Sequence, residues 1–237
     1  MSIRTLQPER LWKEFYEICQ IPHPSKKEEK MIAYLQEFGK RHNLETRTDA
    51  AGNVLICKPA TPGYENRKKV ILQSHMDMVC EKNNDTQHNF DTDPIQPYID
   101  GEWVKAKGTT LGADNGIGMA TELAILASND LKHPALECLF TVDEETGLTG
   151  AFALKEGFMD GDILINLDSE DEGELFIGCA GGANTTAEFA YHEIDVPQDY
   201  FFFNVAIKGL TGGHSGDDIS KNRANANKLL NRFLSQL

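Results

Sequence analysis

Apolar positions along this chain fall into helical stripes and short unbroken runs that alternate. Residues 8–20 read as a helix, with Pro8 near its start and Leu11, Phe15, Ile18 and Cys19 on one face. A second amphipathic helix is expected over residues 25–42, opened by Ser25 with Glu28 three positions on, the pattern of a capping box. Two short strands, at residues 44–48 and 53–57, flank the turn-prone DAAG. Residues 70–74 form the near-continuous apolar run of a central strand. Residues 80–101 are polar and rich in Asn, Asp and Pro, which reads as a long surface loop of the kind that often carries function. Further along come a buried helix at 116–127, a strand at 136–142, a helix at 149–158 and a strand at 162–167. Strands alternating with helices predict an α/β fold, a mostly parallel sheet flanked by helices, with ligands at the carboxyl ends of the strands.

Near residue 184 the texture changes. Residues 184–191 and 201–208 look like longer strands, and the chain ends in a helix with Leu229, Leu230, Phe233, Leu234 and Leu237 at helical spacing. The expected division is residues 1–183 as one domain, incomplete on its C-terminal side, and residues 184–237 as the beginning of a second, α+β domain. The last helix carries no stop signal, so the sequence reads as cut short inside that second domain.

Composition narrows the partners. The 237 residues are 40% hydrophobic and 25% charged, ordinary values for a globular protein. The formal net charge of −14 argues against nucleic acid or an anionic membrane, which both need a basic footprint. Neither a signal peptide nor a run of about 18 apolar residues is seen, so a cytoplasmic protein is expected. Five cysteines, odd in number and never as CxxC, suit reduced thiols.

The strand at 70–74 runs into LQSHMDMV, which places His75 and Asp77 two apart where a buried strand meets its end. Asp114 lies in TTLGADNGIG before a buried helix, Glu144 and Glu145 follow a strand in TVDEETG, and Asp168 follows the strand DILINLD. Each piece has an ordinary explanation, such as a satisfied polar pair or a solvated acidic loop at a helix start. NLDSEDEGE fails as a calcium loop, because position twelve counted from Asp168 is Cys179 rather than Glu. GIGMAT lacks the third glycine of a dinucleotide fingerprint, and P-loop, HExxH and GxSxG patterns are missing. Taken together, an imidazole and several carboxylates at successive strand ends form a ligand set for zinc, cobalt or manganese.

The series SHMDMV, GTTLGADNGIGMA, TVDEETGLTGA, INLDSEDEGE and GGHSG resembles the aminoacyl-histidine dipeptidases, Xaa-His or carnosine-type enzymes of the co-catalytic zinc peptidase family that includes aminoacylase and glutamate carboxypeptidase. The likeness covers essentially the whole chain, and KNNDT and DPIQPYIDGEWVKA match the dipeptidase branch. It implies a zinc peptidase catalytic domain followed by the start of a lid and dimerisation domain. It also implies two Zn2+ ions per active site (Co2+ or Mn2+ being possible), a short peptide substrate and a homodimer for the complete protein. Asp114 would bridge the two ions, His75 and Asp168 would complete one site, and Glu145 would bind the other. Asp77 would orient His75, and Glu144 would be the general base for the attacking water. His214, in GGHSG, would be a lid histidine that stabilises the tetrahedral intermediate, and a cis peptide is implied at Asp114–Asn115. The family also uses a histidine near the end of a chain about twice this length. Only His192 and His214 lie beyond Asp168, and neither matches it, so the activity of this chain alone is left open. The alternatives kept open are a related tripeptidase, an N-acyl amino acid deacylase, or a non-catalytic fragment.

Overall fold

The computed structural model describes residues 2–236 except 170, 180, 184 and 214–217. It divides into two compact units, Met1–Cys179 and Ala180–Leu237. In the first, two helices, α1 (Glu9–Cys19) and α2 (Glu29–Arg41), precede the strands β1 (Glu45–Thr48), β2 (Val54–Lys58) and β3 (Val70–His75). A small hairpin, β4 (Pro97–Asp100) and β5 (Trp103–Ala106), follows. The chain continues through α3 (Ala113–Ala127), β6 (Leu136–Thr141), α4 (Thr149–Ala153) and β7 (Ile163–Asn166).

The sheet has the order β1-β2-β6-β3-β7. β6, β3 and β7 are mutually parallel, as the alternation of strands and helices predicts, whereas β2 runs against both β1 and β6 and makes the sheet mixed. β6 is buried at every residue, including Glu137. That carboxylate is tolerated because it accepts from Lys69 Nζ (3.4 Å) and from the backbone N–H groups of Asp160 (3.0 Å) and Gly161 (3.1 Å). Phe15, Ile18 and Cys19 of α1, and Met31, Leu35 and Phe38 of α2, join β2, β3, β6 and α3 in one core. Lys58, at the end of β2, donates to the carbonyls of Ile125 (2.8 Å), Leu126 (3.0 Å) and Ser128, which closes the C-terminus of α3.

The structure corrects several expectations. Ser25 does not cap α2: the N-cap position is Glu28, and no side chain caps the helix. The helix expected at 149–158 stops at Ala153, and the surface loop at 80–101 contains β4 of a hairpin. In the second unit the described residues of 184–191 and 201–208 form no strand. The final helix is present as α5 (Ala226–Leu234), with Leu229 and Leu230 half-buried and Phe233 and Leu234 exposed. Leu237 lies outside the described residues.

Glu122, on the buried face of α3, is fully buried, and among the described residues neither of its carboxylate oxygens nor the nearby Ser74 hydroxyl has a hydrogen-bond partner. Burial pushes its pKa well above the ordinary 4.5. The folded chain therefore keeps this proton to a higher pH than the unfolded chain does. The contribution is fully present below about pH 4.5 and is lost as pH rises toward the folded value. Glu122→Gln, which cannot ionise, is expected to gain on the wild type by ~1.4 kcal/mol per pH unit across that window. Urea unfolding at pH 5 and pH 8 measures it, and parallel pH profiles for the two proteins would refute a neutral Glu122.

Candidate active site

The strand order brings the carboxyl ends of β6, β3 and β7 side by side, and the polar residues that follow them meet there. β3 ends on His75, whose side chain is 1% exposed. On one side of the ring, Nδ1 lies 3.1 Å from the Asp77 carbonyl oxygen and 3.3 Å from Asp77 Oδ1. On the other, Nε2 lies 2.9 Å from Asp114 Oδ1 and 3.5 Å from Asp168 Oδ1. The imidazole thus forms a floor below two carboxylates that reach solvent, Asp114 at 51% and Asp168 at 28% side-chain exposure.

Asp114 enters from the first turn of α3, where Asp114 and Asn115 are non-helical and the peptide between them is cis, as the resemblance implies. Asn115 Nδ2 donates to Asp168 Oδ1 (2.7 Å) and so ties α3 to the loop after β7. A side chain at Gly118 would place its Cβ 1.9 Å from Asn115 Oδ1 and 3.1 Å from Ser74 Cβ, so the close approach of α3 to β3 needs glycine there. A cleft of ≈ 340 Å³ opens here, lined by Asp114, Asn115, Ile117, Gly118, Leu167 and Asp168 among others.

β6 continues into the turn that carries the two glutamates. Asp143 stands at φ +50° and Leu148 at φ +57°, so the chain reverses sharply around Glu144 and Glu145. Asp77 receives that turn: Oδ1 accepts from the Glu144 N–H (2.9 Å) and Oδ2 from the Glu145 N–H (3.2 Å). The Ser25 hydroxyl donates to Oδ2 as well (2.7 Å). Asn53, buried between β2 and α4, accepts from the Val142 N–H (3.1 Å) and donates to the Gly150 carbonyl (2.8 Å). The ties made by Asn53 and Ser25 leave no mark in a local sequence pattern.

Ligand-type atoms of His75, Asp114 and Asp168 lie within 4.8 Å of one another, and so do those of His75, Glu144 and Glu145. The residues expected at strand ends are therefore brought together, with His75 common to both groups. His214 lies outside the described residues. A third group, Glu28, Asp77 and Asp143, is wholly buried. Both oxygens of Asp77 and both of Asp143 accept hydrogen bonds from the protein, those of Asp143 from the Thr146 and Thr149 hydroxyls.

Charge follows geometry. Burial by itself favours neutral His75, but hydrogen bonds to Asp114, Asp168 and Asp77 outweigh it and hold the ring's pKa at about 12. For Asp77, burial opposes the charge, yet His75, the Glu144 N–H and Ser25 hold its pKa down at about 2. Burial, and then the charge of Asp114, raise Glu145 to about 7. Burial raises Glu144 too.

Residues 71–216 match peptidase family M20/M25/M40. The chain belongs to this family. Across 234 residues this M20/M25/M40 chain is 54% identical to the cytosol non-specific dipeptidase of Escherichia coli K12, covering 99% of the chain and 48% of that protein. The crystal structure of the aminoacylhistidine dipeptidase from Vibrio alginolyticus superposes with a TM-score of 0.76 at 53% identity, over 99% of the chain and 48% of its own. A tripeptidase from Staphylococcus aureus is more distant, with a TM-score of 0.59 and 25% identity over 70% of the chain and 44% of its own. The chain spans about half the length of the curated relatives it matches. The family is one of metal-dependent peptidases, and none of the chain's described helices is long and apolar enough to cross a membrane.

Proposed function

We propose that the chain carries the metal-binding half of a dipeptidase that hydrolyses short peptides and prefers a C-terminal histidine. The observation that carries this reading is the convergence of His75, Asp114 and Asp168 around one point at the strand ends, with Asp77 behind the imidazole. The donor set fits a divalent ion of the zinc type, since imidazole and carboxylate oxygens are its usual ligands and a carboxylate behind a ligating histidine is its usual support. His75 and Asp168 would hold one ion, Asp114 would bridge to a second, and Glu145 would hold that second ion. When bound, such a pair makes water a nucleophile near neutral pH and polarises the scissile carbonyl.

The chain's own residues supply the rest. Asp77 takes the Nδ1 proton of His75 in a hydrogen bond and leaves Nε2 facing the cleft as the ligating atom. Glu144, raised by burial, is suited to receive the proton of the attacking water, a role worth roughly 10²–10⁴ in rate. Cytoplasmic location, homodimerisation and a transition-state role for His214 belong to the same proposal and rest on the resemblance to the dipeptidase branch. The half-length match favours a second reading, in which this chain by itself binds metal without turning over.

Zinc per chain, together with hydrolysis of Xaa-His and other dipeptides by this chain and a full-length counterpart, separates the readings. A well-folded chain that takes up no metal would sink both. Metal removal by EDTA is expected to lower the unfolding temperature, with ~2.7 kcal/mol restored at a metal concentration a hundred times Kd. The pH dependence has a definite sign. His75 binds metal only as the neutral ring, whereas the surrounding carboxylates hold it protonated without metal, so binding releases a proton. Affinity for Co2+ is expected to rise by up to about tenfold per pH unit between pH 6 and 8, and a flat profile would count against His75 as ligand.

A further inference from the structure

The sequence pattern Ser25–Glu28 looks like a helix cap, yet α2 makes no use of it. Both side chains point elsewhere. The Ser25 hydroxyl donates to Asp77 Oδ2 (2.7 Å), and Glu28 Oε1 accepts from the Asp143 N–H (2.9 Å) and from the Lys26 N–H (3.0 Å). Glu28 is 5% exposed, and Pro24 is bridged to Met78, which fixes this segment beside the loop that bears Asp77. Three consecutive backbone N–H groups, those of Asp143, Glu144 and Glu145, are thus received by two buried carboxylates, Glu28 for the first and Asp77 for the other two. Successive amides that point one way form a concavity for an anion, and here the protein fills it with its own side chains.

We propose that Ser25 and Glu28 are positioning residues for the glutamate pair: from behind the turn they hold the backbone and the carboxylate that aim Glu144 and Glu145 toward His75. This rests on the reading of Glu144 as base and Glu145 as ligand. Those two residues are adjacent, so their directions depend on the backbone angles of residues 143–145. Asp143 holds the left-handed conformation at φ +50°, uncommon outside glycine though tolerated by aspartate, and this sets the direction in which the next two residues leave. An amide that lost its carboxylate would lose the acceptor the fold provides for it, so Glu28 and Asp77 anchor the turn. Ser25 acts one step back, by fixing the Asp77 oxygen that receives Glu145.

The test uses the 237-residue chain and two readouts, hydrogen exchange of the amides of residues 143–145 and titration with Co2+ followed by its visible absorption. Glu28→Ala is expected to speed exchange of the Asp143 amide about tenfold and Ser25→Ala that of the Glu145 amide, and each is expected to weaken Co2+ binding about tenfold, the low end for groups that support metal ligands. Exchange along β6 should stay unchanged, and Ser25→Thr, which keeps a hydroxyl, should restore both readouts. Leu35→Ala, a core truncation on the same helix, should lower the unfolding temperature and leave Co2+ affinity as it was. Amides that exchange as in the wild type would overturn the proposal. So would loosened amides with undiminished Co2+ binding, or an equal loss of affinity in Leu35→Ala. A wild-type chain that takes up no Co2+ refutes the metal-centre reading instead, and the amides then decide the proposal alone. Should Glu28→Ala not fold, the two Ser25 variants carry the same test.

Discussion

Glu144→Gln, in a full-length protein that carries these residues, is expected to lower peptide turnover by roughly 10²–10⁴, about 3–5 kcal/mol in barrier, while zinc content stays nearly unchanged. Glutamine keeps the size and hydrogen-bonding reach of glutamate but cannot accept a proton at neutral pH. Glu145→Gln should show the opposite order, losing metal first and activity as the consequence. The two glutamates share one turn and both come within ligand distance of His75, so side-chain type alone does not divide the labour between them. Their surroundings differ: the charge of Asp114 is the second-largest influence on Glu145, after burial, and is a weaker one on Glu144. Zinc per chain and turnover, measured on both variants, decide the matter. Metal lost from Glu144→Gln and kept by Glu145→Gln would reverse the assignment, and two near-silent variants would remove it.

Asp77→Ala is expected to have the largest effect on stability, a loss of ~3–5 kcal/mol, because it strips a buried charge from partners that stay buried. The side chain of Asp77 is 0% exposed and sits against His75, the N–H groups of Glu144 and Glu145, and the Ser25 hydroxyl. Removing it leaves the two N–H groups and the Ser25 hydroxyl without this acceptor and His75 Nδ1 with only the carbonyl of residue 77, which loosens the glutamate turn and the imidazole. Metal affinity should fall ~10–100-fold at the same time, the usual cost of removing a carboxylate behind a ligating histidine. The pH dependence supplies a second check. A carboxylate with its pKa lowered from 3.8 to about 2 contributes stability that is present above pH ~4 and lost as pH falls toward 2. The wild type should therefore show an acid limb in that window worth ~2.5 kcal/mol from this group, and Asp77→Ala should lack that part of it. Unfolding by urea at pH 7 and at steps from pH 4 down to pH 2 measures both. A variant within ~1 kcal/mol of the wild type at pH 7 would mean that water replaces the carboxylate at no great cost.

The Asp77 network also accounts for His75 and Asp77 at the end of an apolar strand. Their polarity is sheltered rather than solvated, since Asp77 is satisfied by donors from three separate stretches of chain. The same logic explains how Glu28, Asp77 and Asp143 sit together without mutual expulsion, as backbone amides and hydroxyls stand where counter-charges would otherwise be needed. Glu122 shows the other outcome, an acid with no such donors that is held neutral by burial.

What the sequence determined by itself is the set of elements and the residues at their ends. Burial in a central strand demands an unbroken apolar run, so the switch from VILQS-type texture to polar residues marks a strand end wherever it occurs, and His75, Glu144, Glu145 and Asp168 were legible on that ground. Helical stripes placed α1, α2 and α5, and overall apolarity placed α3, for the same local reason. Only the tertiary structure decided which of those ends are neighbours. Insertion of β6 between β2 and β3, rather than at an edge, sets the glutamate turn against Asp77 and the imidazole. It also decided that Ser25 serves Asp77 instead of its own helix, that Glu137 is buried with partners, and that residues 184–191 and 201–208, apart from the undescribed Asn184, stay out of strands. Apolar periodicity reports how each residue divides its neighbours between water and protein. A hydrogen bond between positions 52 or 115 residues apart depends on strand order and on backbone angles at a few turns, and these carry no period along the chain.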